Sequence, residues 1–374
     1  MKPKVALLHI GTPKTGTTSI QDALFRAEKK GLLHPYSYPI FRNDQSHNRL
    51  TTLYLEHEEQ PVYMKVQYPR DDNRYQNARR NYRRFLFETL RSSGGAILSA
   101  EVLSNRFSPQ HIVRFRGDLE SLGFNDFYIA LYIREPADFY LSSRQQMLKL
   151  PGRRNQPVVD PFSFKYSFRR IAEDWEQVFP GRVIVQCHRR SAGYDATSDF
   201  SNLMQGCLGI GLPPGAARRN ETLSAEAMVV LQHFREAVGA DAGGFEFPGL
   251  YRLVDFLVKS NGYLPQTKPK LKASIAGLIR ANHRSDVEFI GSRYGVDLGM
   301  GSVESVEQLH QRPSWRVEDI LESFDPVIVQ RLQDDFRRHG PRLLLSGFAK
   351  SGLRKVYHSM LLHDVEKWLK SRFR

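Results

Sequence analysis

Along the first two hundred residues, two hydrophobic rhythms alternate. Residues 4–10 form a dense apolar run of strand length, followed at once by glycine and proline. In 17–30, Ile20, Leu24 and Ala27 recur on one helical stripe, and Gly31 supplies a stop. Residues 78–91 repeat the helical spacing through Tyr82, Phe85, Leu86 and Leu90. A short strand is expected at 96–99. The unbroken apolar run FYIALYI at 127–133 predicts a fully buried strand. Helices over 136–150 and 166–179 and a strand at 182–187 complete the series. Strands alternating with helices predict an α/β fold, its mostly parallel sheet covered on both faces.

From about Ser224 the rhythm becomes helical, as in 225–238, 251–259 and 327–338. The stretch GLPPGAARRN at 211–220 reads as a loop between the two regimes. It predicts an α/β core over 1–215 and a helical extension over 216–374. Residues 355–374 form a basic amphipathic pattern, suited to an anionic membrane surface or to packing as a charged end-helix.

Composition excludes several classes. Hydrophobic residues are 41% and charged residues 25%, which is that of a soluble globular chain and not of a disordered or collagenous one. Two cysteines, Cys187 and Cys207, suit a reducing compartment and cannot build a cysteine-only zinc site. No apolar run approaches a membrane span and no targeting signal is visible, so a cytoplasmic location is expected. Lysine and arginine number 54 against 40 acidic residues, a net charge of +14, which points to anionic partners.

The first candidate chemistry is Gly11-Thr-Pro-Lys-Thr-Gly-Thr-Thr18, between the first strand and the first helix. Strand, glycine loop and helix N-terminus is the geometry that cradles phosphates with backbone N–H groups. Walker A requires lysine directly after the second glycine. Here Thr17 follows Gly16 and the lysine is Lys14, inside the loop, which disfavours an ordinary magnesium-dependent NTPase.

The run PKTGTTS, Pro13 to Ser19, resembles the 5′-phosphosulfate loop of sulfotransferases that use 3′-phosphoadenosine-5′-phosphosulfate (PAPS). The resemblance implies a second anion site after a later strand. Arg134, Pro136, Asp138 and Ser142 match that family's spacing there. It implies a P-loop-like three-layer fold over roughly residues 4–210. Pro13, Lys14, Thr15, Gly16, Thr17, Thr18 and Ser19 would hold the phosphosulfate, and Arg134 and Ser142 the 3′-phosphate. Lys14 would also stabilise charge on the leaving phosphate, and no metal is required. The stretch Asn220-Glu-Thr-Leu-Ser224 is similar to a segment of the bacterial carbohydrate-type branch. The Arg-Lys-Gly…Gly-Asp-Trp closing segment of cytosolic small-molecule members has no counterpart, which argues against the phenol and steroid branch.

Sulfuryl transfer to a hydroxyl needs a base as well as charge stabilisation. His47, in Gln45-Ser-His-Asn-Arg-Leu50, has a suitable ordinary pKa, and a histidine in a similar place recurs in bacterial sulfotransferases. Glu101 ends the strand expected at 96–99, where a carboxylate would face the ligand crevice as base, bind acceptor, or pair with an arginine. His9, inside the first strand, reads as a core histidine. Arginine clusters at Arg79-Arg80, Arg83-Arg84, Arg153-Arg154, Arg169-Arg170 and Arg218-Arg219 suit an acidic glycan or lipid-linked glycan acceptor, or simply a solvated basic surface. Two alternatives remain at this level: a P-loop kinase, or a non-enzymatic polyanion binder. No nucleic-acid-binding motif is recognisable.

Overall fold

The computed structural model describes residues 4–61, 64–65, 73–149, 158–189, 193–213, 222–238, 250–260, 262, 264–300 and 310–348. The basic stretch 355–374, the arginine pairs at 153–154 and 218–219, and the loop from residue 214 to 220 lie outside them. In chain order the strands are β1 (Lys4–Gly11), β2 (Tyr36–Ser37), β3 (Gly95–Ser99), β4 (Phe124–Arg134) and β5 (Val183–His188). The longer helices are α1 (Thr17–Lys29), α2 (Asn73–Ser92), α3 (Pro109–Ser121), α4 (Pro136–Lys149), α5 (Phe168–Val178), α6 (Ala196–Leu208), α7 (Ala225–Val238), α8 (Leu250–Ser260), α9 (Ala273–Asn282), α10 (Arg284–Tyr294) and α11 (Pro326–Phe348).

All five strands are parallel, in the order β2-β3-β1-β4-β5. The fold class is therefore α/β, as the alternating rhythm predicts. Side chains alternate across β1 and β4. Leu7, Ala130 and Tyr132 face α1 and α6, meeting Ile20, Leu24, Ala27, Phe200 and Met204 in one buried cluster. On the other face, Phe127 packs on Phe179, which stacks on Trp175 of α5, and α3 buries Ile112, Phe115 and Leu119. A parallel sheet with both faces covered needs continuous apolar strands, and β4 supplies one.

The chain divides into two compact units. The first comprises Met1–Pro136, Tyr166–Arg219 and His283–Gly301, and the second Ala137–Lys165, Asn220–Asn282 and Ser302–Arg374. The division does not follow the change of rhythm near residue 215. Residues 137–165 pack with the later helices, and 283–301 with the sheet. The second unit buries Met228, Leu231, Leu253, Ile275, Val317 and Leu332. Its Glu226 is fully buried, and the carboxylate accepts from the amides of Thr267 (2.9 Å) and Asp325 (3.0 Å), tying two loops to α7. Among the described residues no helix is long and apolar enough to cross a membrane.

Candidate anion site at the carboxyl ends of the central strands

The chain leaves β1 to build β3 on one side and later places β4 on the other. Open α/β sheets bind ligands at the carboxyl ends of strands, where the order reverses in this way. The loop after β1, Glu101 after β3 and Arg134 at the end of β4 all lie at that place.

The loop is held from within and from both neighbouring strands. The Thr12 amide donates to Tyr132 O at 2.6 Å, and Thr15 Oγ1 donates to Thr12 O at 2.6 Å. Arg134, only 7% exposed, donates from Nη1 to Lys14 O at 3.0 Å. The arginine is thus a clamp on the loop backbone and not a solvated strand end. Lys14 itself sits at φ 68°, a left-handed conformation uncommon for a side-chain-bearing residue and met often at functional loops.

Gly16 caps α1 at φ 82°, and no side chain caps that helix. The amides of Ser19 and Ile20 bond Gly16 O, but those of Gly16, Thr17 and Thr18 have no acceptor among the described residues. Three N–H groups at a helix start, beside a lysine, fit an anionic group such as phosphate. Glycine is required at both ends of the loop. At Gly16 a Cβ would lie 2.5 Å from Ala196 Cβ, and at Gly11 one would lie 2.9 Å from Glu101 Cβ. The second closeness brings the exit of β3 against the loop.

There, Glu101 Oε2 accepts from Thr17 Oγ1 at 2.6 Å. A threonine of the anion loop and a candidate base are therefore directly bonded. Ser104 Oγ donates to Glu101 O and starts the next turn. The buried phenol oxygen of Tyr166 feels the Glu101 charge, and burial pushes its pKa up to about 12. It stays neutral at any ordinary pH.

His47 is placed differently from the expectation of a base. It is 2% exposed, and three bonds fix it. Its amide donates to Ser99 O (2.8 Å), Nδ1 accepts from the Ser99 amide (3.0 Å), and Nε2 donates to Pro39 O (2.9 Å). Both ring nitrogens are used, and burial lowers the pKa to about 4. His47 therefore joins the segment after β2 to the end of β3 and has no lone pair to offer a substrate. His9 is the core histidine expected. It is fully buried, Nδ1 lies 2.7 Å from Ser99 Oγ, and burial lowers its pKa to about 3.

Ser142 is buried on α4, and Asp138 stands in that helix's first turn. Ser142 belongs to the second compact unit, Arg134 to the first. Pro13 lies within the loop, and Thr18, exposed, and Ser19 belong to the first turn of α1. Among the described residues no group of His, Cys, Asp and Glu is arranged to hold a metal.

One residue at the site escapes the sequence reading. His188 ends β5, in register with Arg134, and its ring lies about 3.5 Å from where a Gly16 Cβ would stand. Its edge meets the Tyr194 ring at 5.1 Å between centroids. The apolar run stops at residue 187, so the expected strand ended one residue early and left the histidine in a loop. Counting one more residue, as the Arg134 end of β4 suggests, would have found it.

The named arginine clusters are partly self-satisfied. Arg79 donates to Leu53 O, Arg83 lies 3.7 Å from Asp118, and Arg169 pairs with Glu173 at 2.9 Å, while Arg80 and Arg84 are exposed. Comparison with protein-family models, curated proteins and solved structures finds no match to this chain.

Proposed function

We propose that this chain is a sulfotransferase that moves a sulfuryl group from PAPS to a hydroxyl of a carbohydrate or glycoconjugate acceptor. The observation that carries the reading is the bond between Thr17 and Glu101, at a helix start whose first amides have no acceptor among the described residues. Anion binding and a positioned carboxylate meet at one point.

The donor supplies an electrophilic sulfuryl group and a phosphate leaving group. In this reading the amides of Gly16, Thr17 and Thr18 and the Lys14 ammonium bind the phosphosulfate end, as the P-loop-like motif implies. Lys14, which stands before Gly16 and not directly after it as in Walker A, serves as a charge on the leaving oxygen. Arg134 holds the loop through Lys14 O and takes the 3′-phosphate. Glu101 removes the proton of the acceptor hydroxyl, with Thr17 fixing its carboxylate. Such a base contributes about 10²–10⁴-fold. His47 is left out because both its nitrogens are engaged.

The test is thermal unfolding with adenosine 3′,5′-bisphosphate, with AMP, ATP and magnesium-ATP as controls. A ligand bound only by the folded state raises Tm by mass action. A shift with the bisphosphate, weak with AMP and lost in Arg134→Ala, supports the reading. A shift with magnesium-ATP alone replaces it with a kinase. No nucleotide shift, together with salt-sensitive polyanion binding, leaves a non-enzymatic binder.

A further inference from the structure

Arg144, in the second half of α4, is 9% exposed, and its guanidinium makes no hydrogen bond or ion pair with any described residue. Arginine cannot shed its proton in a protein, so the charge persists, and its Nε is buried with no acceptor among the described residues. Its one visible contact is the face of Tyr140, one turn back on the same helix, at 5.5 Å. That ring is fixed in place, because Tyr140 OH donates to Val159 O at 2.7 Å. An aromatic face attracts a cation but accepts none of its hydrogen bonds in the way a carboxylate does.

Among the described residues no carboxylate forms an ion pair with it. Asp160 acts on Tyr140 through its charge, yet it forms no ion pair with Arg144, and its Oδ1 accepts from the Phe162 amide. Arg235 of α7 donates to Leu148 O of the same helix, so the neighbouring element adds positive charge. The next residue, Gln145, is 6% exposed, and its Nε2 also finds no acceptor. Arg144 Nε and Gln145 Nε2 are thus buried donors without partners among the described residues. A buried cation persists at large cost unless something pairs with it.

We propose that Arg144 and Gln145 form a binding site for an oxyanion, a carboxylate or a sulfate or phosphate group. The guanidinium fork matches two oxygens of such a group. The site lies within the second compact unit and is independent of the sulfotransferase reading. If that reading holds, an acidic substituent of the acceptor is the natural source of the oxyanion.

The test is thermal unfolding of the full chain in sodium sulfate, phosphate or glucuronate, with chloride balancing ionic strength. The chains compared are wild type, Lys14→Ala, Arg144→Met and Arg144→Gln. A saturable rise in Tm is expected in wild type and in Lys14→Ala, where any contribution from the β1 loop is weakened, and not in the two Arg144 variants. In chloride alone, Arg144→Met should melt at or above wild type, because a buried donor without a partner has gone. A response to glucuronate alone assigns a carboxylate, and one to sulfate and phosphate assigns a tetrahedral group; either supports the site. No saturable response in wild type overturns it, as does an undiminished response in Arg144→Met. Loss of the adenosine 3′,5′-bisphosphate shift in both Arg144 variants would make the arginine part of the nucleotide site and also overturn the proposal. If both variants melt well below wild type in chloride, the guanidinium is a structural group and the proposal fails.

Discussion

Thr17 Oγ1 donates to Glu101 Oε2 at 2.6 Å, joining two residues 84 positions apart in the chain. The hydroxyl is the first side chain of α1, and the carboxylate follows the last residues of β3. Glu101→Gln keeps the size and a hydrogen-bonding oxygen but loses the proton affinity. It should leave the bisphosphate-induced rise in Tm near that of wild type and lower acceptor sulfation about 10²–10⁴-fold. Radiolabel transfer to a glycan acceptor measures this. Near-normal turnover in Glu101→Gln would remove the carboxylate from the chemistry.

Lys14→Gly separates the charge of the loop lysine from its backbone. Glycine accepts φ 68° without strain, so the loop should keep its shape and the apo protein its stability. The nucleotide-induced shift should fall sharply, and turnover with it. An unchanged dose response to the bisphosphate, followed by melting or calorimetry, would show that Lys14 does not touch the ligand.

Gly16→Ala places a Cβ 2.5 Å from Ala196 Cβ in a left-handed conformation. It should cost about 1–3 kcal/mol, as overpacking does, and should weaken anion binding by displacing the helix start. Adding Ala196→Gly removes the colliding atom and should return part of both losses. A double variant no better than the single one would locate the whole effect in backbone strain.

His47 and His9 set an acid limit to stability. Their pKa values fall from the ordinary 6.5 to about 4 and about 3 in the folded protein. The unfolded chain therefore binds more protons below about pH 6.5, and stability falls as pH is lowered from there toward 4. Above that window the contribution is fully present. Urea melts at pH 7.5 and pH 5 should differ by up to several kcal/mol, and His47→Gln should flatten the slope. His47→Ala should itself cost about 2–4 kcal/mol, because the Ser99 amide and Pro39 carbonyl lose their partner. Its folded fraction should still sulfate acceptor. A dead but stable His47→Ala would restore the histidine to the chemistry.

What the sequence disclosed followed from how local each signal is. The strand, glycine loop and helix were legible because they lie within fifteen residues, and the apolar run at 127–133 located Arg134 at a strand end. His47 was misjudged because its role depends on Ser99 and Pro39, partners that no spacing reveals. His188 was missed by one residue of strand length. α3 was passed over although Ser108 and Pro109 mark its start, since its apolar positions 112, 115 and 119 are separated by charged ones. The affiliation of 137–165 with the later helices is a matter of long-range packing, which periodicity does not encode. Arg144 looked like one arginine among many until its burial was known.

The parallel order β3-β1-β4 also governs when the site comes into being during folding. His9 meets Ser99 across 90 residues of chain, and Arg134 reaches Lys14 O across 120. Pairings that distant form late and slowly, because the intervening loop must close before they contribute. The loop at residues 11–16 acquires its clamp only once β4 has docked on β1. Recovery of nucleotide affinity during refolding should therefore lag behind the return of helical signal.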